Sequence, residues 1–226
     1  MGNVFRNLDW SVLTNALISI IPALICITVH ELAHGYAAYR LGDTTAKEMG
    51  RLTLNPLKHL DIVGILMMIL VGFGWAKPVP VNMRRFRKPK VFMAITALAG
   101  PLSNIIMAVV VFFIYGLVFT GLGGYKATGA GDILLSIVSR TATLSVALAI
   151  FNLIPIPPLD GSKIVFSLLP EQSYYNLMRY ERYGMLLLIA LIYFRPVVFD
   201  ATIGKANDAI IHFLLNIAQF SYNLIN

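Results

Sequence analysis

Apolar positions in this chain gather into long unbroken runs. They do not form the one-sided stripes of a soluble helix or the alternation of a half-buried strand. The first run extends from about Trp10 to Leu41, the second from about Val91 to Phe119 and the third from about Ile133 to Leu153. Each is long enough for a membrane-spanning helix, which needs about 20 residues. Pro22 lies inside the first run and predicts a kink; Gly42 follows it as a C-cap. The third run passes into "FNLIPIPPLDG", where Pro155, Pro157 and Pro158 must end the helix. Ile62 to Phe73 is apolar but too short to cross a bilayer, and reads as a re-entrant or interfacial segment. Met185 to Phe199 is a fourth run, interrupted by Arg195-Pro196. From Asn207 the pattern turns amphipathic: Asp208, His212, Asn216, Gln219 and Asn223 share one helix face. That helix is expected to lie on the membrane or to pack polar side inward.

Between the first two spans the pattern changes period. "RLTLN" alternates in the manner of a short strand, and Asn55-Pro56 marks a turn. "GFGWAKPVPVN" is rich in glycine and proline, with alternating apolar residues from Ala76 to Val81, and reads as extended. The predicted architecture is an all-α polytopic membrane protein. It forms one membrane-embedded unit over residues 1–226, with a three-span core at about 10–169 and C-terminal helices at about 174–226.

Composition supports this class and removes others. Of 226 residues, 58% are hydrophobic and 13% charged, where a soluble domain has about a quarter charged. Mean hydropathy is +0.74. The formal charge of +7 comes from loops beside the apolar runs, not from a basic soluble surface, so nucleic-acid binding is not expected. Ten lysines and arginines lie between Arg40 and Lys90, whereas Gly121 to Gly131 carries only Lys126. The positive-inside rule then places the first connecting region in the cytoplasm and the second outside. "HELAH" in the first span and "PPLDG" after the third arrive at the same, cytoplasmic, depth. The expected location is the cytoplasmic membrane. A single cysteine, Cys26, allows no internal disulfide and reads as a small core residue.

Ionisable groups inside an apolar span are costly and need a reason. His30 and His34 are four residues apart, on one helix face, so two imidazoles can reach one zinc ion. Glu31 lies beside that face and can touch a water at the metal, which completes the HExxH arrangement of two ligands and a general base. A catalytic zinc wants a third protein ligand and an open position. Glu48, Asp43, Asp61, Glu171 and Glu181 are candidates. Asp160 stands out because it follows proline-broken backbone, which at membrane depth usually lines a cavity. Without metal, the same residues would have to form a buried polar network that fixes helix packing. His59 reads as a solvated loop residue and His212 as structural.

"HELAH", "AGPLSN" and "NLIPIPPLDG", in that order, resemble the site-2 protease family of intramembrane zinc metalloproteases. "GRLTLNPLKHLD" and "GWAKPVPVN" are similar to stretches of its compact prokaryotic branch, which lacks a PDZ-like insert and a nucleotide-sensing domain. The likeness covers about Pro22 to Leu169. It implies zinc, one per chain, held by His30, His34 and Asp160, with Glu31 as acid/base. It further implies that Asn152 holds the substrate backbone and that Asn104 lies near the active site, with a substrate contact. The stretches at Arg51–Asn55 and Ala76–Asn82 resemble the family's short membrane-associated β region, where an exposed edge can hold an extended substrate. Transmembrane proteins are the implied substrates and the lipid bilayer the surrounding partner. Oligomeric state is not fixed by the sequence. Two other classes remain open at this level: a membrane transporter of zinc or another ion, and a non-catalytic membrane scaffold.

Overall fold

The computed structural model describes residues 10–64, 66, 75–194 and 204–224. Three helices are long and apolar enough to cross a membrane: Ile18–Arg40, Pro89–Phe119 and Ala130–Asn152. They belong to α1 (Trp10–Arg40), α3 (Pro89–Gly121) and α4 (Ala130–Asn152). A single turn, α2 (Thr45–Glu48), follows α1. After the third span come α5 (Asp160–Phe166), α6 (Glu171–Arg179), α7 (Glu181–Phe194) and α8 (Lys205–Asn223). Residues 65 and 67–73 of the short apolar segment, and 195–199 of the fourth run, lie outside the described residues.

α3 is the central element. It packs against α1, α4, α5 and α8. Its Ile95, Leu98, Leu102, Ile106 and Val110 point outward, while Thr96, Ala97, Asn104 and Ala108 are buried. Exposed apolar side chains and buried polar ones are the arrangement of a helix solvated by lipid, where small residues let backbones approach and polar groups pair between helices. Ala108 and Phe112 of α3 join Ala142 and Val146 of α4 and Leu214 and Ala218 of α8 in the main cluster. Gly116 makes the α3–α8 contact possible, because a Cβ there would run into Ala218 O and Ser221 Oγ. Cys26 is buried against Thr141 O at 3.4 Å, in keeping with a core role. Gly42 ends α1 with φ 107°, a left-handed cap that glycine tolerates without strain.

Three expectations are corrected. The first is the β region. Among the described residues there is no strand: 52–54 are bends and 75–82 have no ladder. The physical reason is that side chains and a turn consume the backbone groups a ladder would need. Lys77 N–H donates to His59 O at 2.9 Å. Val79 N–H donates to Glu31 Oε2 at 2.7 Å and Asn82 N–H to Asp43 Oδ2 at 2.6 Å. Arg51 Nη2 donates to Lys77 O at 2.8 Å and Pro78 O at 3.3 Å. Pro78 and Pro80 have no N–H to give. The second correction is His59, which is 1% exposed, with Nε2 2.9 Å from Thr53 O, and so belongs to the packing of this connector. The third is the polar-side-inward packing of the tail helix. α8 packs through Leu214, Ala218 and Ser221, and its Asp208, His212, Asn216, Gln219 and Asn223 face outward.

Candidate metal centre

His30 and His34 sit one turn apart in the last third of α1, both buried. Their Nε2 atoms are 3.0 Å apart. Asp160, the first residue of α5, brings Oδ2 to 3.2 Å from His30 Nε2 and 3.0 Å from His34 Nε2. Three potential ligand atoms from two distant segments thus converge on one point. Asp160 Oδ2 is buried and has no hydrogen-bond partner of acceptable geometry despite these short separations. Three donors about 2.0–2.2 Å from a common centre, at tetrahedral angles, would be spaced about 3.3 Å apart. The observed spacing is close to that, and an orphaned carboxylate oxygen facing two imidazole nitrogens is what a divalent cation satisfies. The donor set of two nitrogens and one oxygen fits zinc.

The sequence around each of these three residues follows from this convergence. Gly100 of "AGPLSN" must lack a side chain: a Cβ there would collide with the imidazoles of both histidines. Gly161 of "LDG" is equally constrained, since a Cβ would strike Leu153 O and Ile154 O. The proline-broken turn between α4 and α5 can therefore fold tightly enough to present Asp160. Gly35, just after the second histidine, leaves room for Leu52 and Val79 of the connector to lie on α1.

His34 Nδ1 is 2.7 Å from Thr96 O. A carbonyl only accepts, so Nδ1 carries the proton and Nε2 presents its lone pair to the site. Asn104 Nδ2 is 3.2 Å from His30 Nδ1. Glu31 accepts from the Val79 amide through Oε2, and Oε1 makes no hydrogen bond among the described residues. Lys163 lies 3.9 Å from Asp160 Oδ1 and 3.6 Å from Glu181 Oε1, and so stands between α5 and α7.

Four of the five other acidic candidates have partners of their own. Asp43 accepts from Thr45 and Asn82, and Asp61 from Gly64 N–H. Glu48 pairs with Arg85 at 2.7 Å and Glu181 with Lys163. Of the titratable groups outside the spans, the Glu48 carboxyl is held below its usual range, first by the hydrogen bond from Arg85 and then by that from Thr44. Burial, aided by Tyr175 and Glu181, pushes the Tyr174 phenol of α6 up to about 12.

Asn104 therefore meets His30, whereas Asn152, at the end of α4, spends its Nδ2 on Leu148 O at 2.9 Å and makes no hydrogen bond to His30, His34 or Asp160. Sequence reading missed the Thr96 carbonyl and the Val79 amide. Both act through the backbone, which leaves no side-chain signal. It also missed Lys163, whose signal is its place three residues after Asp160 on one helix face.

A membrane-spanning bundle that buries two histidines and a carboxylate, with a glutamate beside them, carries the groups that a membrane-embedded metallopeptidase needs. Comparison with known proteins gives the same class. Residues 122–194 match the family model described as Peptidase family M50. The chain is 42% identical over 173 residues to "Putative zinc metalloprotease YwhC" of Bacillus subtilis, an alignment covering 76% of this chain and 78% of that protein. It is 28% identical over 177 residues to "Putative zinc metalloprotease Rip2" of Mycolicibacterium smegmatis, covering 75% of this chain and 64% of that one. The Mycobacterium tuberculosis protein of the same name is 25% identical over 172 residues, with coverage of 74% and 63%. No solved structure matches the chain significantly. The chain belongs to peptidase family M50, the zinc metalloproteases of the site-2 type.

Proposed function

We propose that this intramembrane zinc protease cuts peptide bonds within or beside transmembrane segments of other membrane proteins, with Glu31 as the acid/base and the centre toward the cytoplasmic side. The observation that carries the reading is the convergence of His30 and His34 of α1 with Asp160 of α5, Glu31 being next to His30 on α1. His30, His34 and Asp160 would hold the metal. Zinc, when bound, supplies Lewis acidity, which acidifies water toward neutrality and polarises a carbonyl.

The protein's own groups do the rest. Val79 N–H holds one oxygen of Glu31, so the other is oriented for proton transfer. Glu31 takes a proton from water as its oxygen bonds to the carbonyl carbon. It then delivers that proton to the amide nitrogen as the C–N bond breaks, giving a carboxylic acid and an amine. Asn152, half-buried at the inner end of α4, is the proposed contact for the substrate backbone. A helical substrate must unwind first, because its carbonyls are already hydrogen-bonded and shielded. The basic residues between Arg40 and Lys90 support the cytoplasmic placement. All of residues 1–226 are read as one membrane-embedded protease domain.

The test is cleavage of a panel of single-span substrates in proteoliposomes. Wild type should cut in the presence of zinc, and Glu31→Gln should retain zinc while cleavage stops. Undiminished cleavage by Glu31→Gln sinks the acid/base role. For topology, cysteines placed at Lys58 and Lys126 should label from the cytoplasmic and outer faces respectively; the reverse pattern overturns the orientation.

A further inference from the structure

We propose that Asn104 is a positioning residue for His30: its amide oxygen accepts the His30 Nδ1 proton and so fixes the tautomer that leaves Nε2 free for the metal. The inference rests on the zinc reading of the site.

The two histidines differ in what faces their outer nitrogens. His34 Nδ1 meets the Thr96 carbonyl, which can only accept, so its tautomer is decided by the backbone. His30 Nδ1 meets a carboxamide, 3.2 Å away, which can either donate or accept. With Nδ2 turned toward His30, the amide donates. Nδ1 must then be bare, and the proton goes to Nε2, where it faces His34 Nε2 at 3.0 Å and Asp160 Oδ2 at 3.2 Å. A protonated Nε2 cannot be a ligand. With Oδ1 turned toward His30, the amide copies the Thr96 carbonyl, and both histidines present Nε2 lone pairs to the same point. A half-turn about the last side-chain bond exchanges the two arrangements with little change of shape.

Three further observations bear on the role. Asn104 is 0% exposed, so no substrate backbone reaches it without rearrangement of α3. Its Oδ1 is buried without a partner when Nδ2 faces His30. Its own backbone carbonyl accepts the Ser145 hydroxyl at 2.9 Å, a bond that ties this turn of α3 to α4 and sets the height of the amide. The side chain is thus held at the metal centre from behind. The contact with a substrate implied by family likeness is replaced by a contact with a ligand.

The experiment uses the full chain, ¹⁵N-labelled at histidine, with zinc as the probe. In the zinc-loaded wild type, His30 and His34 should both show a proton on Nδ1. Zinc affinity is then measured by competition with a chelator. Asn104→Leu should bind zinc about 10–100-fold more weakly. Asn104→Asp, an obligate acceptor when ionised, should stay within a few-fold of wild type. A proton on His30 Nε2 in the zinc-loaded wild type overturns the proposal, as does an Asn104→Leu variant of undiminished affinity. Asn104→Asp as weak as Asn104→Leu also overturns it, because that result would make the residue a packing element only. If wild type binds no zinc, the zinc reading itself fails and the proposal with it.

Discussion

Glu31 and Val79 are joined by a hydrogen bond from the Val79 amide to Glu31 Oε2 at 2.7 Å. The carboxylate proposed as the acid/base, on a transmembrane helix, is thereby oriented by the backbone of the connector between the first two spans. The connector is anchored in turn: Arg51 holds the carbonyls of Lys77 and Pro78, and Asp43 holds the amide of Asn82.

Removing that one donor should separate orientation from metal binding. Val79 precedes Pro80 and is therefore already biased to extended backbone, so Val79→Pro chiefly deletes the N–H. A hydrogen bond to a charged group contributes about 1.5–3 kcal/mol, so cleavage should fall about 10–100-fold while zinc content stays at wild-type level. Val79→Ala keeps the amide and should cleave normally. Equal losses in both variants would point to side-chain packing instead.

Gly100→Ala should expel or distort the metal, because the added carbon meets both imidazoles. Gly121→Ala, at the open C-terminal end of the same helix, meets nothing within 4 Å. Zinc content of the purified variants decides: loss at Gly100 with retention at Gly121 is expected, and full zinc in Gly100→Ala would contradict the packing.

Zinc should stabilise the fold by mass action. At free zinc 100-fold above its dissociation constant the gain is about 2.7 kcal/mol, read as a rise in Tm that a chelator reverses. Asp160→Ala should flatten the response. A variant that responds like wild type would show that Asp160 is not a ligand.

The Glu48–Arg85 pair should make the first connector acid-sensitive. Arg85 lowers the Glu48 pKa below 4.5. A carboxyl depressed in the folded state stabilises it above its unfolded pKa, and that contribution disappears as pH falls through the folded value. Amide exchange over residues 44–49 should therefore accelerate as pH drops below about 4.5, after correction for intrinsic rates. In Glu48→Gln this step should be absent; identical profiles for the two proteins would exclude the pair as its source.

How much of this was legible beforehand divides along physical lines. The three spans follow from run length alone, and their predicted ends lie within three residues of the observed helices. The facing of His30 and His34 follows from the helical period. Asp160 could be singled out because prolines at membrane depth need a purpose, but its approach to 3.0 Å from His34 depends on Gly161 and the packing of α5 on α3. The alternation around Ala76 to Val81 suggested a strand because it records extended backbone. Alternation carries no record of where N–H and C=O groups go, and here Glu31, Asp43, Arg51 and His59 took them. His59 looked solvated because nothing local to "PLKHLD" reveals that the connector folds over it.

The connector's construction also sets how it can fail. A β-ladder opens cooperatively and, at its edge, offers a template for foreign strands. Residues 75–82 are instead tethered by separate bonds to α1, to Arg51 and to the turn at His59. Such a strap can loosen one tether at a time, so its response to injury is graded, and a single substitution weakens one attachment without unzipping the rest.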